Sequence, residues 1–192
     1  MARTSKKTKF DGITFDSETE CDFYKLLKVK KRKGEIKSFT HEPKYELLEG
    51  GWKNNRGDAQ ESIDYFPDFL IEFKNGEVIL VDVKGGDIHE EASKLKKKML
   101  EYQNRNLTLY FVSKSPNFLG AEWIETTPHR NMLQKLRNAY AKEHPTVKRK
   151  TKSSPQFTRK CWDKYMKVED VHGLFYTFEK VYTKKEREKM LT

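Results

Sequence analysis

At 192 residues and 22.8 kDa the chain is long enough for one buried core plus an extension. Charged residues make up 35% and the mean hydropathy is −0.92, and no apolar run exceeds strand length, which excludes a membrane-spanning helix. The net charge of +10 points to a polyanionic partner, and its distribution sharpens that reading. Residues 1–128 hold 22 Lys and Arg against 22 Asp and Glu, whereas residues 129–192 hold 17 against 7. All of the excess lies in the last third.

The first residues, Met-Ala-Arg-Thr-Ser-Lys-Lys, carry positive charge with no apolar stretch behind it, so they do not read as a secretory signal. Residues 1–12 are expected to form a flexible basic arm. Ser17-x-x-Glu20 is a capping-box pattern, and Phe23, Leu26, Leu27 and Lys30 recur at helical spacing up to Gly34, a natural stop. Cys21 in this helix and Cys161 far downstream are isolated, with no Cys-x-x-Cys pair. That argues against a disulfide scaffold or a structural zinc, and for a reducing cytoplasm. Strands are predicted at Ile36–Phe39 and Tyr45–Leu48, followed by a loop over residues 50–57.

The stretch "YFPDFLIEFKNGEVILVDVKGG", residues 65–86, predicts a hairpin of two apolar runs about Lys74-Asn75-Gly76. A two-residue Asn75-Gly76 loop would put Asp68 on the opposite face from Asp82 and Lys84. A three-residue loop, with Gly76 left-handed, shifts the parity by one, so Asp68 opposes Asp82 with Lys84 one pleat along the same face. The other face then holds Phe69, Ile71, Phe73, Ile79, Val81 and Val83. That segregation favours the three-residue loop. A surface salt bridge at a strand end is the plain alternative, but such clusters add little stability. Two converging carboxylates call for a cation between them, Mg²⁺ being the hard divalent ion that suits oxygen ligands. A charged lysine cannot be a ligand; it can hold the attacking water and stabilise charge on a phosphate.

Further along, residues 89–103 predict an amphipathic helix with Leu95, Met99 and Tyr102 on one face, and Leu107–Val112 a strand. Lys94 and Lys98 share another face of that helix, where they would meet a phosphate or simply be solvated. Thr127-Pro128 opens a helix to about Glu143, and a basic linker over residues 146–156 leads into a further, mainly helical stretch. Lys148, Arg149, Lys150, Lys152, Arg159 and Lys160 would contact phosphates there, independently of sequence; a solubilising tail is the alternative. Interleaved aromatics such as Phe157, Trp162 and Tyr165 favour a folded element. His41, His89 and His129 have no partners at ligand spacing.

Pro67-Asp68 followed by Asp82-Val83-Lys84 resembles the signature of the PD-(D/E)xK nuclease superfamily, whose fold is shared by restriction endonucleases and several phage resolvases. Phe15-Asp16-Ser17-Glu18-Thr19-Glu20 is similar to the first-helix motif of that superfamily, with Glu20 in the catalytic position. As the capping-box partner of Ser17, Glu20 also has a purely structural reading. The string "DGITFDSETE…YFPDFLIEF…VDVKG…KLKKKMLEY" resembles small phage-encoded nucleases related to junction resolvases, and is similar to the end-cutting nuclease subunit of cut-and-paste transposons. The resemblance spans about residues 9–112.

It implies a restriction-endonuclease-like α/β core over residues 1–126, a mixed sheet of four to five strands flanked by helices; it does not reach the basic, mainly helical extension over residues 127–192, which is expected to bind DNA on the strength of its charge. It implies a Mg²⁺-dependent endonuclease acting on branched or junction DNA, in which Mn²⁺ substitutes. Glu20, Asp68, Asp82 and the Val83 carbonyl would hold the metal, and Lys84 would position the nucleophile. The partners implied are DNA, a second copy of the chain by analogy with dimeric resolvases, or a larger transposition or packaging assembly, in a host cytoplasm and away from membranes. A non-catalytic nucleic-acid-binding or inhibitory protein on the same fold is the rival reading.

Overall fold

The structure, a computed structural model, describes residues 7–85, 91–115, 122–126 and 168–178. It divides into two compact units, Met1–Lys114 and Ser115–Thr192.

The first unit opens with a hairpin, β1 (Thr8–Phe10) and β2 (Ile13–Phe15), paired from Thr8↔Phe15 to Phe10↔Ile13. Residues 7–12 are therefore not an arm. Asp11-Gly12 fills a two-residue loop with φ of 57° and 78°, the double left-handed turn for which Asp-Gly is a preferred pair. The hairpin leans on the first helix, α1 (Glu18–Arg32), through Phe15 and Tyr24 at 5.1 Å between ring centres and the Tyr24 hydroxyl donating to Asp11 (2.8 Å).

Both ends of α1 follow from local sequence. Ser17 is the N-cap, its hydroxyl accepting from the Glu20 amide at 3.0 Å. At the other end Gly34 takes φ 73°; its amide donates to the Lys31 carbonyl and that of Glu35 to the Lys30 carbonyl. This is a Schellman closure, which needs a residue that tolerates the left-handed conformation. Glu20, Phe23, Tyr24 and Leu27 form the buried stripe, at the spacing of one helix face.

That stripe covers one face of a four-stranded mixed sheet in the order β8-β7-β6-β3. β3 (Ser38–His41), β6 (Phe69–Glu72) and β7 (Val78–Val83) are antiparallel in turn, and β8 (Thr108–Lys114) lies parallel to β7. The covered face holds Phe69, Ile71, Phe73, Ile79, Val81 and Val83, all buried, with Phe23 of α1 on Phe69 at 5.6 Å. Burying each large side chain here contributes about 1.5–3 kcal/mol.

The opposite face is roofed by α2 (Glu91–Gln103) and the small antiparallel pair β4 (Tyr45–Leu48) and β5 (Ile63–Tyr65). Leu47, Tyr65, Leu80, Leu100, Leu109 and Phe111 form its core. Of α2 only Leu100 is fully buried, whereas Leu95 and Tyr102 are 59% and 71% exposed. The expected apolar face of this helix is thus corrected: Met99 is half-buried against the core, but the stripe through Leu95 and Tyr102 faces outward.

In the second unit β9 (Trp123–Glu125) pairs in parallel with β11 (Phe175–Phe178), which forms a hairpin with β10 (Val168–Val171). The expectation of helix over these residues is overturned. His172 and Gly173 both take positive φ, 51° and 68°, and the Asp170 carboxylate accepts from the Gly173 amide at 2.9 Å. The His-Gly pair that breaks a helical pattern is the turn of a hairpin. The predicted helix over residues 128–143 and the basic linker lie outside the described residues. Among the described residues no helix is long and apolar enough to cross a membrane.

Candidate active site

The β6–β7 register decides what the hairpin can hold. Pairs run from Phe69↔Val81 to Glu72↔Val78, so by continuation Asp68 stands opposite Asp82. The loop is Lys74-Asn75-Gly76, closed by the Phe73 amide on the Glu77 carbonyl at 2.8 Å, with Gly76 at φ 86°. Parity then places Asp68, Asp82 and Lys84 on the face that also bears Leu80, with the apolar row on the other.

The two carboxylates differ in surroundings. Asp82 is only 4% exposed, and both its oxygens are taken. The Lys84 ammonium lies 2.7 Å from Oδ1, and the buried Tyr65 hydroxyl donates to Oδ2 at 2.5 Å. Burial, with the Asp82 charge beside it, pushes the Tyr65 phenol far up, so it is a permanent donor. Asp68 is partly buried and among the described residues has one bond, Oδ2 accepting from the Val83 amide at 2.6 Å. Desolvation first, then the charges of Asp82 and Glu20, push its carboxyl up to about 8, against the opposing pull of the Val83 amide and Lys84. Among the described residues, Asp68 is the carboxylate of this pair with no cation bound to it.

Glu20, buried at the start of α1, lies near enough for its charge to act on Asp68. Its carboxylate is otherwise occupied: Oε2 accepts from the Asp16 amide at 3.1 Å and Oε1 meets His41 Nε2 at 2.9 Å. The expected reciprocal capping box is thus displaced by one residue. Glu18, in the same motif, is exposed. His41, to which the sequence gave no partner, is the residue that sequence reasoning missed. It ends β3, wedged against Phe15, Phe69 and Tyr24. Its neighbour Glu42 takes φ 49° and donates its amide to the Asp68 carbonyl at 2.9 Å. Among the described residues, Glu20, His41 and Glu42 are the set of three ligand-type side chains with atoms all within 4.8 Å of one another. Packing of α1 across β3 creates this proximity, so no linear spacing could reveal it.

Lys94 and Lys98 are exposed on α2 and make no recorded ion pair or hydrogen bond among the described residues. The helix lysines nearer the carboxylates are different ones. Lys96 donates to the Asp64 carbonyl at 3.2 Å and lies over the Tyr65 ring. Lys97 lies 5.4 Å from the centre of the Phe111 ring, which Lys84 approaches to 5.6 Å. Lys148, Arg149, Lys150, Lys152, Arg159 and Lys160 lie outside the described residues.

The donor set suits a hard divalent cation. Asp68, Asp82 and Glu20 supply only oxygen, and the raised Asp68 carboxyl marks negative charge in need of neutralisation. Their oxygens do not all come within 4.8 Å of one another, so the expected convergence on one point is only partly present.

Residues 2–120 match the family described as "Protein of unknown function (DUF1064)". The chain belongs to this family. The matched segment of this DUF1064 protein contains Glu20, His41, Asp68, Asp82 and Lys84. No curated protein and no solved structure matches the chain.

Proposed function

We propose that this DUF1064 protein is a metal-dependent endonuclease that hydrolyses DNA phosphodiesters, with branched or junction DNA as substrate in the manner of a phage resolvase. The observation that carries the reading is the placement of Asp68 directly across from Asp82, with Lys84 on the same face and paired to Asp82. A fold gains little from gathering such charges at a sheet edge, because each costs desolvation that pairing only partly returns.

In this reading Asp68 and Asp82 hold Mg²⁺, with Glu20 and the Val83 carbonyl completing the set directly or through water. The bound ion supplies a water of lowered pKa. Tyr65 fixes the rotamer of Asp82 and Val83 that of Asp68. Lys84 leaves Asp82 for the phosphate as charge builds there, and orients the attacking water in line. The net charge of +10 supports a polyanionic substrate.

The test is a nicking assay on plasmid, four-way junction and flapped DNA, with Mg²⁺ and with EDTA. Cleavage that requires the metal and is lost in Asp68→Asn is expected. Cleavage that persists in EDTA would sink the metal mechanism, and no cleavage of any substrate would sink the enzyme reading.

A further inference from the structure

Phe66 has no part in the site described above, yet the site's own contacts hold it in place. It belongs to the four-residue run Tyr65-Phe66-Pro67-Asp68. Tyr65 is buried with its hydroxyl on Asp82, Pro67 is buried, and Asp68 is bonded to the Val83 amide. Between these fixed residues the Phe66 side chain is 50% exposed. Its backbone has little freedom, since Pro67 also restricts the residue before it to extended conformations. A phenyl ring half in water is ordinary taken alone. One whose backbone is held two residues from Asp68, which no cation pairs among the described residues, has little backbone entropy left to lose on binding.

Chain geometry limits what the ring can touch. Two residues span at most about 7 Å, so the Phe66 Cα lies within that distance of the Asp68 Cα. Phosphates of one DNA strand follow at roughly 3.4 Å along the helix axis, so this reach covers about two nucleotides. A strand with its phosphate at Asp68 and Asp82 that continues toward Phe66 would pass it within that distance of the scissile bond. In continuous duplex the bases there are stacked and paired, and present no face. At a branch point they are free to unstack.

We infer that Phe66 stacks on an unstacked base within about two nucleotides of the scissile phosphate, and so selects branched over continuous DNA. This rests on the nuclease reading above and adds a substrate-selecting residue to it. Phe66 touches neither metal nor reacting atoms in this scheme, so its loss should act on which DNA is cut and leave the hydrolytic groups intact.

The experiment uses the full chain and a four-way junction carrying 2-aminopurine at single positions around the cut, beside a continuous duplex of the same sequence. Binding is followed by fluorescence with Asp68→Asn as the non-cleaving background, which leaves the Tyr65–Asp82 bond in place, and cleavage with Asp68 intact. The stacked probe should be quenched at one position on the junction and at none on the duplex. Phe66→Ala should abolish that quenching and lower junction binding and cleavage about tenfold to a hundredfold, with duplex cleavage changed less than about threefold. Phe66→Trp should keep both. Equal losses on the two DNAs, or no position at which Phe66 affects the probe, would overturn the inference while leaving a metal-dependent nuclease standing. If the intact chain cuts neither DNA, the nuclease reading fails instead, and the probe still decides whether Phe66 stacks. Should Phe66→Ala fail to fold, absence of position-specific quenching with Phe66 in place is sufficient to reject the inference.

Discussion

The two ends of the β6–β7 hairpin are made by the same strands and solve opposite problems. At the turn end, Lys74-Asn75-Gly76 leaves its polar groups in water, and Asn75 accepts from the Glu77 amide at 3.0 Å. At the open end, two opposed carboxylates and an ammonium sit beside a core, where charge is costly. Within that end the imbalance repeats: Asp82 is paired with Lys84 and hydrogen-bonded by Tyr65, whereas among the described residues Asp68 has a single amide. Where a fold leaves a charge poorly answered, an external cation is the natural complement. This difference between the carboxylates can be broken in several ways.

The largest effect should come from removing one charge at a time. Asp68→Asn and Asp82→Asn should each lower metal-dependent cleavage by more than about a hundredfold, the upper range of losses from removing an indirect partner of a metal site. Their effects on metal-free stability should have opposite signs. Asp68→Asn removes a carboxyl that near neutral pH must take up a proton on folding, and should raise Tm by about 2–4 °C per kcal/mol gained. Asp82→Asn leaves one acceptor oxygen for two donors, so either the Lys84 ammonium or the Tyr65 hydroxyl loses its partner, and should cost about 1–3 kcal/mol. Calorimetry without metal checks both. Equal shifts would mean that the carboxylates are equivalent.

Titration gives the next effect. The Asp68 carboxyl is raised to about 8 from an ordinary value of 3.8, so between those values the folded chain keeps a proton that the unfolded chain has lost. Its contribution to metal-free stability should therefore fall as pH rises from about 4 to 8, then level off. Saturating Mg²⁺ should flatten that decline, because the ion displaces the proton. Metal affinity measured by calorimetry should rise with pH up to about 8, with proton uptake by the buffer. A pH-independent affinity over that window would place the cation elsewhere.

The supporting groups should matter less. Tyr65→Phe removes one donor from Asp82 and should cut the rate about tenfold to a hundredfold with modest change in fold stability. Lys84→Ala should lower the rate more than it lowers metal affinity, since its amine is not a ligand. Single-turnover rates set against metal titrations separate the two.

Much of this half of the molecule was legible in the sequence because local rules dictate it. Ser17 and Gly34 bracket α1 by capping alone, and the alternation of Phe69, Ile71, Ile79 and Val81 selects one hairpin register. The rest depends on contacts that linear spacing does not encode. Glu20 meets His41 only because α1 is laid across β3. The outward stripe of α2 arises because Leu100 docks under β4 and β5, turning Leu95 and Tyr102 away. The Asp11-Gly12 hairpin carried a readable turn signal, but flanking lysines disguised three-residue strands as an arm. His172-Gly173 interrupts a helical pattern in the sequence because it is itself the turn of a hairpin.

The smallest expected effect tests the quiet end of the hairpin. Gly76 has φ 86°, a conformation that L side chains rarely adopt, and a Cβ built on it would meet nothing within 4 Å. Gly76→Ala should therefore cost only the backbone term, about 1–2 kcal/mol, with no clash added. The apolar row of Phe69, Ile71, Phe73, Ile79, Val81 and Val83 is buried along the whole hairpin, so the register should withstand that cost. A slip of one residue would turn the entire row outward. Asp68 and Asp82 then stay opposed, and cleavage per folded molecule should be unchanged while Tm drops by a few degrees. Deleting Asn75 instead shortens the loop to two residues and forces the parity to change. If Gly76→Ala lowered the rate as much as Asn75 deletion, the glycine and not the apolar row would be setting the register, and the two ends of the hairpin would not be independent.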